Sequence, residues 1–295
     1  LFLLLGQLGL AHEHHGEMLV PIGTVYDPVV LRGLDAFVYS LYNAGRFIVA
    51  GTPSGVTLAP EGGAHQSTIT ASVGMELPGV CFAEPAYAVE LDWILCDAVR
   101  RLAAVDGEST YLRLSTRPVD QTPFSLVRDR LGVDELRRQV LAGGYRLRDG
   151  DPSRGSGVVL VTSGAMVPEV LAAADEIEHE GLAATVIVAS SADRLYRGWQ
   201  QATRATIDAL GAGGRPAPSH LDTLVAADER GRSIVSVQDA ASHSLAWIGS
   251  AVGARQIPLG VDRFGESGRI ADLHDATGIS AAHIVNAAVL AADAG

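Results

Sequence analysis

Apolar positions along this chain alternate between two kinds of run. Short, nearly uninterrupted stretches rich in β-branched residues, RFIVAGT (46–52), TYLRLS (110–115), GVVLVTSG (157–164), TVIVAS (185–190) and SIVSVQD (233–239), have the pattern of strands, most of them buried on both faces as in parallel sheets. Between them lie segments with helical spacing. PAYAVELDWILCDAVRRL (85–102) opens on Pro85 and predicts an apolar stripe of Val89, Trp93, Cys96 and Val99. VPEVLAAADEIEHE (167–180) is closed by Gly181, and SAAHIVNAAVLAADA (280–294) has Ser280 as its N-cap. Leu1, Leu4, Leu5 and Leu8 recur at helical spacing and predict a core helix whose beginning precedes Leu1. That opening run, about eleven residues long, is too short to cross a bilayer. It also lacks the basic region and small-residue cleavage site of a signal peptide.

Strands separated by helices predict open, mostly parallel sheets. The stretch GGYRLRDGDPSRGSG (143–157) has few apolar positions and reads as a break between two such units. The expected fold class is α/β, with two three-layer α/β domains over residues 1–145 and 157–295 and a linker over 146–156.

Composition narrows the classes of partner. The 295 residues are 47% hydrophobic, enough for sizeable cores, and carry 34 acidic against 22 basic side chains, a net charge of −12. A nucleic-acid surface needs a basic face that displaces counterions from phosphates, and basic membrane-surface binding needs the same; neither is expected. Cys81 and Cys96 both sit among apolar residues and read as buried free thiols, consistent with a reducing, cytoplasmic setting.

Candidate chemistry concentrates in the Gly- and Pro-rich loop SGVTLAPEGGAHQS (54–67), which follows a predicted strand, where α/β folds place their sites. Glu61 and His65 stand four apart in it. A carboxylate beside an imidazole orients the ring and supports general acid–base work. Spacing alone also leaves open a solvated loop without a role. Arg117, just past a predicted strand, is placed either for an anion clamp or as an ordinary surface arginine. In AHEHHGE (11–17) the histidines are spaced by two and one, whereas a zinc helix places ligands at i and i+4; the cluster reads as a helix end in water or lining a cleft. SHS (242–244) has no Gly-x-Ser-x-Gly elbow, and the chain has neither a Walker loop nor a dinucleotide Gly-x-Gly-x-x-Gly after its first strand. FGESG (264–268) reads as a connecting turn.

GTPSGVTLAPEGGAHQST (51–68), EPAYAVELDWILCDAVRRL (84–102), YLRLSTR (111–117) and VDRFGESG (261–268) together resemble the transketolase-like thiamine diphosphate enzymes. Among these the chain is most similar to the decarboxylating first component of the homodimeric pyruvate dehydrogenase type. The resemblance implies a pyrimidine-binding fold up to about residue 145 and a transketolase carboxy-terminal-like fold from about 157. It implies that His65 faces substrate, that Glu61 is the acidic residue before it, that Arg117 lies near the substrate-phosphate arginine, and that Tyr26 packs on the aminopyrimidine ring. Transketolases proper carry Thr-His-Asp-Ser where this chain has Thr52-Pro53-Ser54, which tilts the expectation from a sugar to a 2-oxo acid such as pyruvate.

What the resemblance implies for activity is thiamine diphosphate chemistry, with the cofactor as electron sink and Mg2+ held mainly by a diphosphate-binding domain. By the same alignment the family's pyrimidine-ring glutamate falls before Leu1, and the diphosphate-binding domain is not in this sequence. The chain alone is therefore expected to be inactive, with a homodimer or a separate diphosphate-binding subunit completing the site and a lipoyl acyltransferase component as an implied partner. Transketolase ketol transfer and a non-catalytic subunit that contributes a pocket and dimer surface are the alternatives.

Overall fold

A computed structural model describes residues 1–154, 156–211 and 217–292; Gly155 of the expected linker and residues 293–294 of the expected last helix lie outside the described residues. The first sheet contains β1 (Ile22–Val25), β2 (Ile48–Gly51), β3 (Val80–Ala83) and β4 (Ser109–Arg113), all parallel, in the order β1-β2-β4-β3. The second contains β5 (Tyr145–Arg148), β6 (Gly157–Thr162), β7 (Ala183–Val188), β8 (Ile234–Val237) and β9 (Gln256–Leu259), in the order β5-β7-β6-β8-β9. Only β5 runs antiparallel to its neighbour. The molecule is thus built of two α/β domains.

Period-2 alternation operates inside the continuous apolar runs and assigns each residue to a layer. In β2, Ile48 joins the core on one face of the sheet and Val49 the core on the other; in β4, Leu112 and Tyr111 divide the same way. In β6, Val158 and Leu160 face one core while Val159 and Val161 face another. Ile48 and Leu112 of the first sheet belong to the same buried cluster as Leu160, Val186 and Val235 of the second. The two domains therefore share a core.

Several expected features are placed differently. Residues 145–148 form an edge strand with Tyr145 and Leu147 inward and Arg146 and Arg148 outward, so residues 146–148 of the expected linker are part of the second sheet. A half-buried edge strand with two arginines in four residues is polar enough to read as a loop. β9 was likewise illegible, being a short, half-exposed edge strand with Pro258 in it.

The opening helix Phe2–Gly9 buries Phe2, Leu5, Gly6 and Gly9, while Leu1, Leu4 and Leu8 face outward. Close approach decides this face: a Cβ at Gly6 would stand 2.5 Å from Ser40 Oγ, so only a glycine face can pack there. In the helix Ala88–Leu102 the buried positions are Glu90, Trp93, Ile94, Asp97, Ala98 and Leu102. Val89, Cys96 and Val99 lie on the outer side, so of the two cysteines only Cys81 is buried. The helix is turned because two acidic residues have partners inside. Asp97 accepts from Arg100, from Arg101 Nε at 3.1 Å and from Arg194 Nη2 at 2.9 Å. Glu90 Oε2 accepts the N–H groups of Ala86 (2.9 Å) and Tyr87 (3.1 Å) at the helix start.

Burial pushes the Glu90 carboxyl up to about 7, against the opposing pull of those two amides. The folded state therefore holds a proton that the unfolded chain releases, and stability falls as pH rises from the ordinary glutamate range through about 7. Glu90→Gln keeps an oxygen for both amides and removes the titration. Thermal melts should show it more stable than the parent at pH 8 by about 1–3 kcal/mol, with the difference shrinking towards pH 4. Parallel pH profiles would assign the slope to other groups.

Candidate active site

Residues at the carboxyl ends of β3 and β4 bond residues just past the carboxyl ends of β6 and β8, and the expected loop after β2 joins them in that crevice. Its first turn, Val56–Leu58, is held from the other domain: the Asp239 carboxylate, just beyond β8, accepts the N–H groups of Val56 (2.8 Å) and Thr57 (3.0 Å). Gly55 enters that turn with φ 70°, and a Cβ there would collide with the Asp239 carboxylate. Further on, Gln66 Nε2 donates to Ala59 O (3.1 Å) and to Glu266 O (2.9 Å). The turn 264–268 is thus more than a connection, since it braces the loop that carries His65.

Three of the four expected site residues converge here. Tyr26, just past β1, donates its hydroxyl to Glu61 Oε2 at 3.0 Å. The same oxygen stands 3.9 Å from His65 Nδ1, and the Tyr26 and His65 rings lie 5.5 Å apart between centroids. Partial burial, then the bond and charge of Glu61, push the Tyr26 phenol up to about 12. Glu61 and His65 remain about half exposed, so the cluster is a rim open to a reactant rather than an internal network.

Arg117 is placed elsewhere. Its Nη2 donates to Glu169 Oε1 (2.9 Å) and its Nη1 to Ala165 O (3.2 Å), both from the second domain. It lines a cavity of about 240 Å3 with Thr52, Tyr87 and Gly164, and neither Tyr26, Glu61 nor His65 is among the described lining residues. Glu169 also stands 3.4 Å from His274 Nδ1. His274 and Arg117 together hold its carboxyl down at about 2 despite burial. His274 Nε2 and Thr57 Oγ1 share a hydrogen bond of 3.0 Å, so a row of contacts runs from Arg117 past Glu169 and His274 to the start of the His65 loop.

The residue that organises the crevice is Arg113, which the sequence reading passed over. Fully buried at the end of β4, it donates from Nη1 to Glu84. Its Nη2 bonds Ser67 O (2.9 Å) and Asp239 O (2.8 Å), and its Nε bonds Thr70 Oγ1 (3.1 Å). Asp27 lies 3.5 Å from Nε and accepts from Ser67, Tyr111 and, at 2.7 Å, Thr70. Glu84 Oε2 accepts from Ser163 Oγ (3.0 Å) and Gln238 Nε2 (2.8 Å) of the second domain. The signal was present: one arginine inside an otherwise buried strand, and Asp27, Glu84 and Asp239 each just past a strand's carboxyl end.

Arg113→Met leaves Glu84 and Asp27 buried without their cation, and denaturant unfolding should show a loss of about 3–5 kcal/mol. Arg113→Lys should recover little of it, since one ammonium cannot reproduce a fork bonded at three nitrogens. Stability within about 1 kcal/mol of the parent in both variants would show that the network is dispensable.

Comparison with known proteins agrees with this architecture. Residues 143–280 match the transketolase-like TK C-terminal domain. The chain is 28% identical over 157 residues to the 6-deoxy-6-sulfo-D-fructose transketolase subunit SqwH of Clostridium sp., covering 53% of this chain and 42% of that one. It is 25% identical over 172 residues to the pyruvate dehydrogenase E1 component of Mycolicibacterium smegmatis, covering 57% and 18%. These matches span less than half the length of either relative. Among solved structures, transketolase from Leishmania mexicana superposes with a TM-score of 0.66 at 21% identity, over 94% of this chain and 34% of that one. The inactive β4 tetramer of a split-gene transketolase gives 0.66 at 19% identity, over 98% and 82%. Likenesses at such identities speak for the fold. Residues 143–280 are thus a transketolase-like C-terminal domain, and the chain is similar over part of its length to a transketolase subunit and to a pyruvate dehydrogenase E1 component.

Proposed function

We propose that this chain supplies the pyrimidine-side half of the active site of a thiamine diphosphate-dependent 2-oxo acid dehydrogenase, the decarboxylating component acting on pyruvate. The observation that carries this reading is the convergence of Tyr26, Glu61 and His65 at the carboxyl end of a parallel sheet. The donor set fits one end of the cofactor. Tyr26 offers an aromatic face for the aminopyrimidine ring, with polar groups beside it. In this reading the diphosphate and its Mg2+ are held by residues of a second chain or domain.

When bound, the cofactor supplies the electron sink for loss of the carboxyl group. The chain's own residues position and polarise. His65 directs a ring N–H to the substrate carboxylate or carbonyl oxygen and stabilises the charge that develops there. Glu61, bonded to Tyr26 and close to His65, fixes the orientation of both rings. Thr52-Pro53-Ser54 stands where transketolases carry Thr-His-Asp-Ser, and the absence of that histidine favours a short 2-oxo acid over a ketose phosphate. A separate subunit as the complement is supported by the relatives described as a transketolase subunit and a split-gene transketolase.

The test uses the chain assembled with its diphosphate-binding complement, supplied with thiamine diphosphate and Mg2+. Pyruvate should be consumed with reduction of an artificial acceptor, and His65→Ala should lower turnover by about 10²-fold. Ketol transfer from a ketose phosphate without pyruvate turnover would replace the 2-oxo acid reading with a transketolase. Unchanged turnover in the variant would remove His65 from catalysis, and neither reaction in a cofactor-loaded complex would leave a non-catalytic subunit.

A further inference from the structure

The cavity beside Arg117 belongs to the same crevice as the His65 loop. Its lining includes Thr52, Pro85, Ser115 and Gly164, which stand just past the carboxyl ends of β2, β3, β4 and β6. That is where open α/β sheets receive their ligands. Arg117 is the only charged side chain among the described lining residues, and the rest of the wall is small, hydroxylic or apolar. A lone guanidinium in such a place is a ready capture device for phosphate or carboxylate. Here its charge is already met.

Glu169, in the first turn of the helix Val167–His179, holds its Oε1 at 2.9 Å from Arg117 Nη2, while Ala165 O accepts from Nη1 at 3.2 Å. Glu169 itself is not among the described lining residues, so it cancels the charge without occupying the cavity. Both side chains are about four-fifths buried, at 18% and 21% exposed, and solvent screens such a pair little. The carboxylate is further fixed by His274, whose Nδ1 lies 3.4 Å from the same oxygen, and by the helix amino terminus, which favours negative charge. With its carboxyl held at about 2, the compensation persists through the neutral and mildly acidic range. An incoming anion therefore meets no net positive charge. It can take the guanidinium only by breaking a partly buried ion pair and leaving Glu169 uncompensated. We infer that Glu169 is a specificity-determining residue: by neutralising Arg117 it closes this cavity to phosphate and other anionic groups and admits only uncharged ones. The inference rests on the reading that the crevice receives the substrate, and it names the class rejected there, a substrate with a phosphorylated tail.

Inorganic phosphate is the probe, titrated calorimetrically into the full chain at pH 7 and constant ionic strength. The parent should show no saturable binding that depends on Arg117. Glu169→Gln keeps an oxygen for Arg117 and His274 but removes the charge, and it should bind phosphate at least about tenfold more tightly than the parent. Adding Arg117→Met should abolish that gain, which separates this cavity from any other anion site. Glu169→Ala serves as the second variant, and thermal melts establish that each is folded. Saturable phosphate binding by the parent that Arg117→Met removes, or no gain in either folded Glu169 variant, would overturn the assignment and leave the pair a purely structural tie. Because the readout is binding and not turnover, such a result leaves His65 in its proposed role, and a failure of pyruvate turnover leaves this assignment standing.

Discussion

One buried guanidinium fixes the geometry of this molecule. Arg113, at the end of β4, reaches the ends of two other strands of its own sheet and, through Glu84 and the Asp239 carbonyl, the ends of two strands of the other. A buried ion pair is weak evidence for stability, since desolvation consumes most of its Coulombic gain. What it enforces is arrangement. Asp27, Glu84 and Asp239 put three carboxylates around one cation, and each is tolerable only with its other acceptor sites filled. Hydroxyls of Ser67, Thr70 and Tyr111 do this for Asp27, and loop amides do it for Asp239. Moving either domain breaks several such bonds at once, so the crevice has one well-defined form.

The candidate site inherits that definition indirectly. Ser67 and Thr70 bond into the network just after the loop, and Asp239 holds Val56 and Thr57 at its start. Both ends of the His65 loop are thereby anchored, while Glu61 and His65 stay exposed at its middle. A rigid base with an accessible tip suits a loop that meets a reactant from outside the chain. The Arg117–Glu169–His274–Thr57 chain adds a second tie between the domains, on the far side of the same turn.

The crevice and the cavity beside Trp247 differ in how their polar groups are spent. Around Arg113 nearly every donor and acceptor is matched inside the protein, as a structural network requires. Around Trp247 the aromatic polar ends are matched, but Ser72 and Glu76 are not.

The sequence by itself determined the class of fold. Uninterrupted β-branched runs and 3.6-residue periodicity specify parallel strands and helices locally, and the loop pattern around Glu61 and His65 carries the family resemblance. It did not determine which face each helix buries. Phe2–Gly9 turns on a glycine contact with Ser40, and Ala88–Leu102 turns to bring Glu90 and Asp97 inward. Nor did it show that Arg113, rather than Arg117, is the central cation, or that residues 146–148 complete a sheet. All of these depend on partners distant in the chain, such as Arg194 for Asp97 and Asp239 for Gly55. A polar residue's burial is decided by whether such a partner arrives, and hydropathy along the chain contains no term for it.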